Sequence, residues 1–325
     1  MISFGSVILS TGSGAWLKTV PSPNPLNLPP FTMRVQYALG TTPMAPQQKG
    51  ATVSRVTVNP NVWDVSFADP DWSSMFWDDD DLLAVLGANM AGVTNMRVMF
   101  GYCENLQDIA YFDTTSVQNM NGTFTHAISL RSIPEFMTPA LTSTRNMFDG
   151  ATSFEHCPSL DTSHVTDMAA MFANTAIREA PELDTSAAEN MVDMFYVCTS
   201  LKHVPLYSTA SCIDMRTMFF MCKNVEGGAL ALYTQASTQA VPPAYYRGAF
   251  CECGEDTASG AAELAQIPYD WRIPDMYTAL STNGYNTAAQ AAGVNPARHA
   301  QVFENCGVSS QSGSAELAQI PAAWK

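Results

Sequence analysis

Cysteine, aspartate and histidine are the side chains in this sequence with the clearest capacity for chemistry. Cys251 and Cys253 have the spacing of half a metal site, but Cys253 stands three residues after a phenylalanine, as do Cys103, Cys198 and Cys222. Zinc needs convergent ligands, and a repeating column spreads them one unit apart. These thiols therefore read first as small buried hydrophobes, with disulfide or metal ligand as the alternatives. The run Asp78 to Asp81 reads as a solvated edge, or else as a calcium site or a partner contact; it lacks the alternating spacing and following glycine of a calcium loop. Of the histidines His126, His156, His164, His203 and His299, only His156 and His203 share a column, and no nucleophile or carboxylate is tied to them by a known motif. Dinucleotide, phosphate-loop and zinc-protease motifs are absent. We expect no catalytic residues, no metal site and no cofactor, hence no enzyme.

The elements that would position these residues come from an internal repeat. Phe76, Phe100, Phe124, Phe148, Phe172, Phe195 and Phe219 follow one another at intervals of 24, 24, 24, 24, 23 and 24 residues. Methionine precedes the phenylalanine by one place at Met75, Met99, Met147, Met171, Met194 and Met218, and by four at Met96, Met120, Met168, Met191 and Met215. Those columns hold 11 of the 18 methionines, so they read as core packing rather than a soft-metal path. With Val93, Val117, Leu141 and Val165 seven places before, the apolar spacing predicts about two helical turns per unit. After the phenylalanine, a Leu-x-x-Ile/Val-Pro segment (Leu130 to Pro134, Leu201 to Pro205) predicts a strand. An apolar column at Phe112, Phe136, Leu160, Leu183 and Tyr207 then precedes Asp-Thr pairs suited to satisfying free backbone donors at a turn.

One such unit cannot bury its apolar face alone, whereas several stacked units can. The expected fold is an α/β, leucine-rich-repeat-like solenoid of about 24-residue coils. Phe250, Cys253, Gly254, Leu264, Ile267, Pro268 and Trp271 recur 53 residues later as Phe303 to Trp324, and the last copy reads as a cap. Inserts at residues 230–247 and 273–299 suggest an extra helix or lobe. Trp63, Trp72, Trp271 and Trp324 read as end caps, or as platforms for sugar rings.

Before the repeat, five prolines between Val20 and Pro30 predict an extended polyproline spacer. Alternating residues around Val35, Tyr37, Val56, Val58, Trp63, Val65 and Phe67 predict a small β unit capping the first coil. The expected organisation is an arm at 1–30, a β unit at 31–70 and repeats at 71–325. The last boundary could move back to about Asn61, because Trp63-Asp64-Val65-Ser66 looks like the start of a later coil. The segment Met1 to Val20 does not read as a secretory signal, and no stretch approaches the roughly 20 apolar residues of a membrane span. A net charge of -15 argues against nucleic acid and against anionic membranes as partners.

Outward-facing residues would vary on this constant scaffold. The row Asp108, Ser132, His156, Glu179 and His203 changes chemistry from coil to coil between apolar neighbours, which suits recognition, though an unselected solvent face looks the same.

The unit Val-x-x-Met-x-x-Met-Phe-x-x-Cys-x-x-Leu-x-x-Ile-Pro followed by apolar-Asp-Thr-Ser, clearest at Asn95 to Thr114, Val165 to Thr185 and Asn190 to Thr209, resembles the BspA-type leucine-rich repeat, also known as the Mycoplasma lipoprotein surface repeat. The resemblance covers about residues 72 to 325. It implies surface recognition, either in exported bacterial adhesins or in bacteriophage fibre proteins that place a β region before the repeats. From the missing export signal and that β region, the expectation is a virion fibre, appendage or decoration protein. Residues 1–30 would dock on other virion proteins, the repeats would bind a host surface protein or glycan, and homo-oligomers, trimers among them, are implied. A bacterial cell-surface adhesin and a receptor-free decoration protein are the alternatives.

Overall fold

Alternation along three strands places one apolar face of a sheet against the first repeats. The computed structural model describes residues 26–272 apart from 44, 45, 47, 48 and 58, together with residue 24 and the segments 6–7 and 20–21. The expected docking arm at residues 1–30, the insert at 273–299 and the final copy at Phe303 to Trp324 lie wholly or largely outside them. A two-residue strand β1 (Ser6–Val7) pairs with β2 (Val20–Pro21). The main sheet contains β3 (Thr32–Tyr37), β4 (Thr52–Arg55), β5 (Val62–Ser66), β6 (Leu82–Asn89) and β7 (Asp108–Ile109), in the order β4-β5-β3-β6-β7. All neighbours are antiparallel except β6 and β7, which are parallel.

Period-2 patterning explains the register. Met33 lies opposite Val65 and Val35 opposite Trp63, all four buried. On the other face Arg34 lies opposite Asp64 and grips it through two hydrogen bonds of 2.7 and 2.8 Å. Such directly opposed pairs are where a sheet gains cross-strand stabilisation.

Beyond the sheet, the repeating phenylalanines form one pile. Successive rings from Phe76 to Phe219 are parallel to within 18°, with centroids 5.3 to 5.6 Å apart, close to the spacing of neighbouring strands. Phe250 continues the pile at 5.9 Å. The methionine columns and Cys103, Cys198, Cys222 and Cys253 are buried in the same continuous core.

The expected fold class is overturned. Among the described residues the regular structure is a mixed β-sheet with the short helices α1 (Ala229–Thr238), α2 (Ala258–Leu264) and α3 (Tyr269–Arg272), and not an α/β leucine-rich-repeat solenoid. Among the described residues, none of these helices falls in the two-turn segment expected before each phenylalanine of the repeat. Hydrogen bonding gives the reason. In a helix every interior N–H bonds to the carbonyl four residues back. Here the N–H groups of Trp72, Ser74, Phe76 and Asp78 donate instead to the carbonyls of Asn95, Arg97, Met99 and Gly101 in the next unit. The residues between them close four-residue turns, as from Met75 to Trp72 and from Trp77 to Ser74. To send alternate groups outward the chain takes left-handed φ two places before and two after each phenylalanine, as at Ser74 (54°), Asp78 (61°), Val98 (45°) and Tyr102 (62°). An apolar spacing of i, i+3, i+7 is met by this chain of turns as well as by a helix.

The expected strands contract for a second reason. Past β6 and β7 the Leu-x-x-Ile/Val-Pro segments keep only single parallel bridges, Ser132 with His156 and His203 with Gly227. Pro134, Pro158, Pro181 and Pro205 have no N–H to extend a ladder. The insert at 230–247 does hold a helix, α1, and Trp271 covers Phe250 at 6.2 Å while stacking on Tyr246 at 4.3 Å.

Candidate binding surface

Each unit exposes the row proposed from sequence. Asp108, Ser132, His156, Glu179 and His203 are all exposed, while Ile133, Cys157 and Val204, one place later, are buried. Asp108 lies in β7 opposite Ala84, and Ser132 and His156 bridge directly. Glu179 makes no such bridge, because its unit is the one that is a residue short, so the five are not one unbroken ladder. The adjacent row carries paired charges one unit apart: Arg131 with Glu155 at 3.1 Å and Lys202 with Glu226 at 3.0 Å. Between β7 and the next unit lies a depression of about 480 Å³, lined by Asp108, Ile109, Ala110, Ser132, Ile133 and Pro134 among others. A second, of about 570 Å³, lies at the Asp-Thr-Ser corner around Leu160, Asp161, Glu182, Asp184 and Leu206.

Buried polar groups hold this surface in place. Thr114, Thr138, Thr162 and Thr185 donate their hydroxyls to the carbonyls of Met137, Asp161, Asp184 and Ser208 at 2.7 to 3.0 Å. Asp113, Asp161 and Asp184 accept from the N–H two residues on. The Asp of each pair thus serves a backbone donor, and the Thr serves an acceptor of the following unit. A second such column went unread in the sequence. Asp71, Asn95, Asn119, Asp167, Asn190 and Asp214, five before the phenylalanines, each accept from the N–H two residues on. The recurrence of Asp or Asn at that place was the available signal.

The acidic run is not a uniform solvated edge. Asp79 is buried and accepts a hydrogen bond from the Tyr37 hydroxyl of β3. Burial, reinforced by the nearby Asp81 and Asp80, lifts its carboxyl to about 6 against the opposing pull of that hydrogen bond. Asp80 accepts from the Glu104 N–H at 3.2 Å, so the run joins the sheet to the first two units. The column thiols are covered: Cys103, Cys198 and Cys222 donate to the carbonyls of Phe76, Phe172 and Phe195 at 2.9 to 3.0 Å. Burial pushes the Cys198 thiol up to about 11. No group of three or more His, Cys, Asp or Glu among the described residues is placed to hold a metal ion. None of their helices is long and apolar enough to cross a membrane.

Two overlapping stretches, residues 70–180 and 132–232, match the family described as Mycoplasma protein of unknown function, DUF285. Together they span residues 70–232, half of the 325-residue chain. The chain belongs to this family. No curated protein and no solved structure matches it. The matched DUF285 stretches contain the phenylalanine pile from Phe76 to Phe219 and all five residues of the exposed row.

Proposed function

We propose that this chain is a bacterial cell-surface adhesin whose repeated units present a binding face to a host protein or glycan. One observation carries the reading: a core that repeats side chain for side chain beneath an exposed row, Asp108, Ser132, His156, Glu179 and His203, whose chemistry differs at nearly every step. A constant interior under a varied exterior is how repeat proteins separate folding from recognition. The likeness to the Mycoplasma lipoprotein surface repeat, and membership of a family described from Mycoplasma, support the cell surface. Protease shaving of intact bacteria that make the protein, followed by mass spectrometry, tests the location. Release of peptides from residues 95–226 is the expected result, and their retention inside intact cells overturns it. For adhesion, the purified chain should bind host cells, and replacing Asp108, His156, Glu179 and His203 together by alanine should reduce that binding while leaving the thermal midpoint within a few degrees.

A further inference from the structure

A strip of aromatic rings runs beside the pile, at places in the unit other than those of the variable row. Trp77, one place after its phenylalanine, is 52% exposed, and Tyr102, two places after the next, is 40% exposed. The Tyr102 ring stacks on the half-buried His126 ring at 4.6 Å and 6°. Trp77 meets Tyr102 edge-on at 6.5 Å and 87°, so its indole is turned across the stack instead of joining it. The strip ends at Gly150, where a Cβ would come within 2.8 Å of the His126 ring. Side chains this large and apolar cost free energy in water unless something covers them.

The charge around the strip decides what would cover it. From Asp71 to Leu130 the sequence holds eight carboxylates and a single guanidinium, Arg97. Asp78 adjoins Trp77 in sequence and donates its N–H to Gly101, beside Tyr102. Asp80 and Glu104 are exposed and linked by the hydrogen bond already described. Ring faces are the negative part of an aromatic quadrupole and attract cations within about 6 Å. Aromatic faces flanked by carboxylates thus favour a positive ligand and repel the sulfated or sialylated chains of an anionic glycan.

We infer that Trp77, Tyr102 and His126, with Asp78, Asp80 and Glu104, dock a lysine- or arginine-bearing peptide segment of a partner protein. The inference rests on the surface-binding reading above and names the partner chemistry of a second set of exposed residues. The test uses the full chain with a fluorescent (Lys-Gly)4 peptide, its (Glu-Gly)4 counterpart and an N-acetylglucosamine tetrasaccharide. The cationic peptide should bind, and Trp77→Ala should weaken it about five-fold, the effect of one exposed cation–π contact, with Trp77→Phe retaining most of the affinity. A remote variant, Glu255→Gln with Asp256→Asn, both exposed near the last described phenylalanine of the pile, should bind as the parent does. The proposal falls if no cationic peptide binds, if Trp77→Ala binds like the parent, if the remote variant weakens binding equally, or if the tetrasaccharide is what the strip retains. Failure of the cationic peptide to bind, with host-cell binding intact, would defeat this inference alone and leave the adhesin reading standing.

Discussion

The contact between Tyr37 and Asp79 shows how one buried carboxylate couples the sheet to the repeats. The Asp79 carboxyl titrates near 6 when folded, above the ordinary value of an aspartate near 3.9. A raised carboxyl favours the folded state while it is protonated. This group's contribution is therefore greatest below about pH 4 and declines as pH rises through about 6. Tyr37→Phe removes the donor that steadies the ionised form. We expect it to cost about 1.5–3 kcal/mol at pH 7.5 and much less at pH 4, measured as urea midpoints at the two values. Asp79→Asn, which keeps an acceptor for the hydroxyl and loses the charge, should stabilise the protein at pH 7.5 and change little at pH 4. Nothing in the sequence separated Asp79 from Asp78, Asp80 and Asp81. Only the approach of β3, 42 residues earlier in the chain, turns one of the four inward.

At the scale of the element, the phenylalanine, methionine and cysteine columns were legible because burial repeats with the sequence period. The conformation between them was not, because apolar spacing reports which residues face inward and says nothing of where backbone N–H groups go. Ala170 distinguishes the two conformations. It sits two places before Phe172 with φ of 52°, where alanine is strained and glycine is not. Were this segment helical, Ala170→Gly would cost about 0.5–1 kcal/mol. In the turn it should leave stability unchanged or raise it by up to about 1 kcal/mol, the relief of strain offsetting the added freedom of the unfolded chain. The strands were overcalled for a related reason: the proline that marks each segment also removes the donor a longer ladder needs. Thr162, fully buried and bonded to the Asp184 carbonyl at 2.9 Å, offers a second check. Thr162→Val keeps the shape and strands that carbonyl, and should lower stability by about 1 kcal/mol in chemical denaturation.

Across the described residues, one continuous core makes the centre of the pile the most sensitive place. Phe148 touches Phe124, Phe154 and Phe172 through its ring, and Phe148→Ala should cost about 3–5 kcal/mol. Self-repulsion from the charge of -15 should ease as ionic strength rises from about 0.01 M to about 0.15 M, so the thermal midpoint should climb over that range. The exposed row was legible as a position in the period, whereas the aromatic strip was not, because Trp77 and Tyr102 occupy different places in their units and only the structure brings them side by side.

Because the bonds between units join residues about one period apart, Thr142 to Gln118 and Gln118 to Thr94 among them, each rung reproduces the socket it occupies. Excising residues 119–142 would bring Gln118 to Ser143, and the backbone donors of Met96, Val98 and Phe100 would meet the carbonyls of Ser143, Arg145 and Met147 in place of those of Asn119, Asn121 and Thr123. Such a repeat can gain or lose whole units by unequal recombination of its gene, changing the number of displayed side chains while leaving each remaining junction as it was.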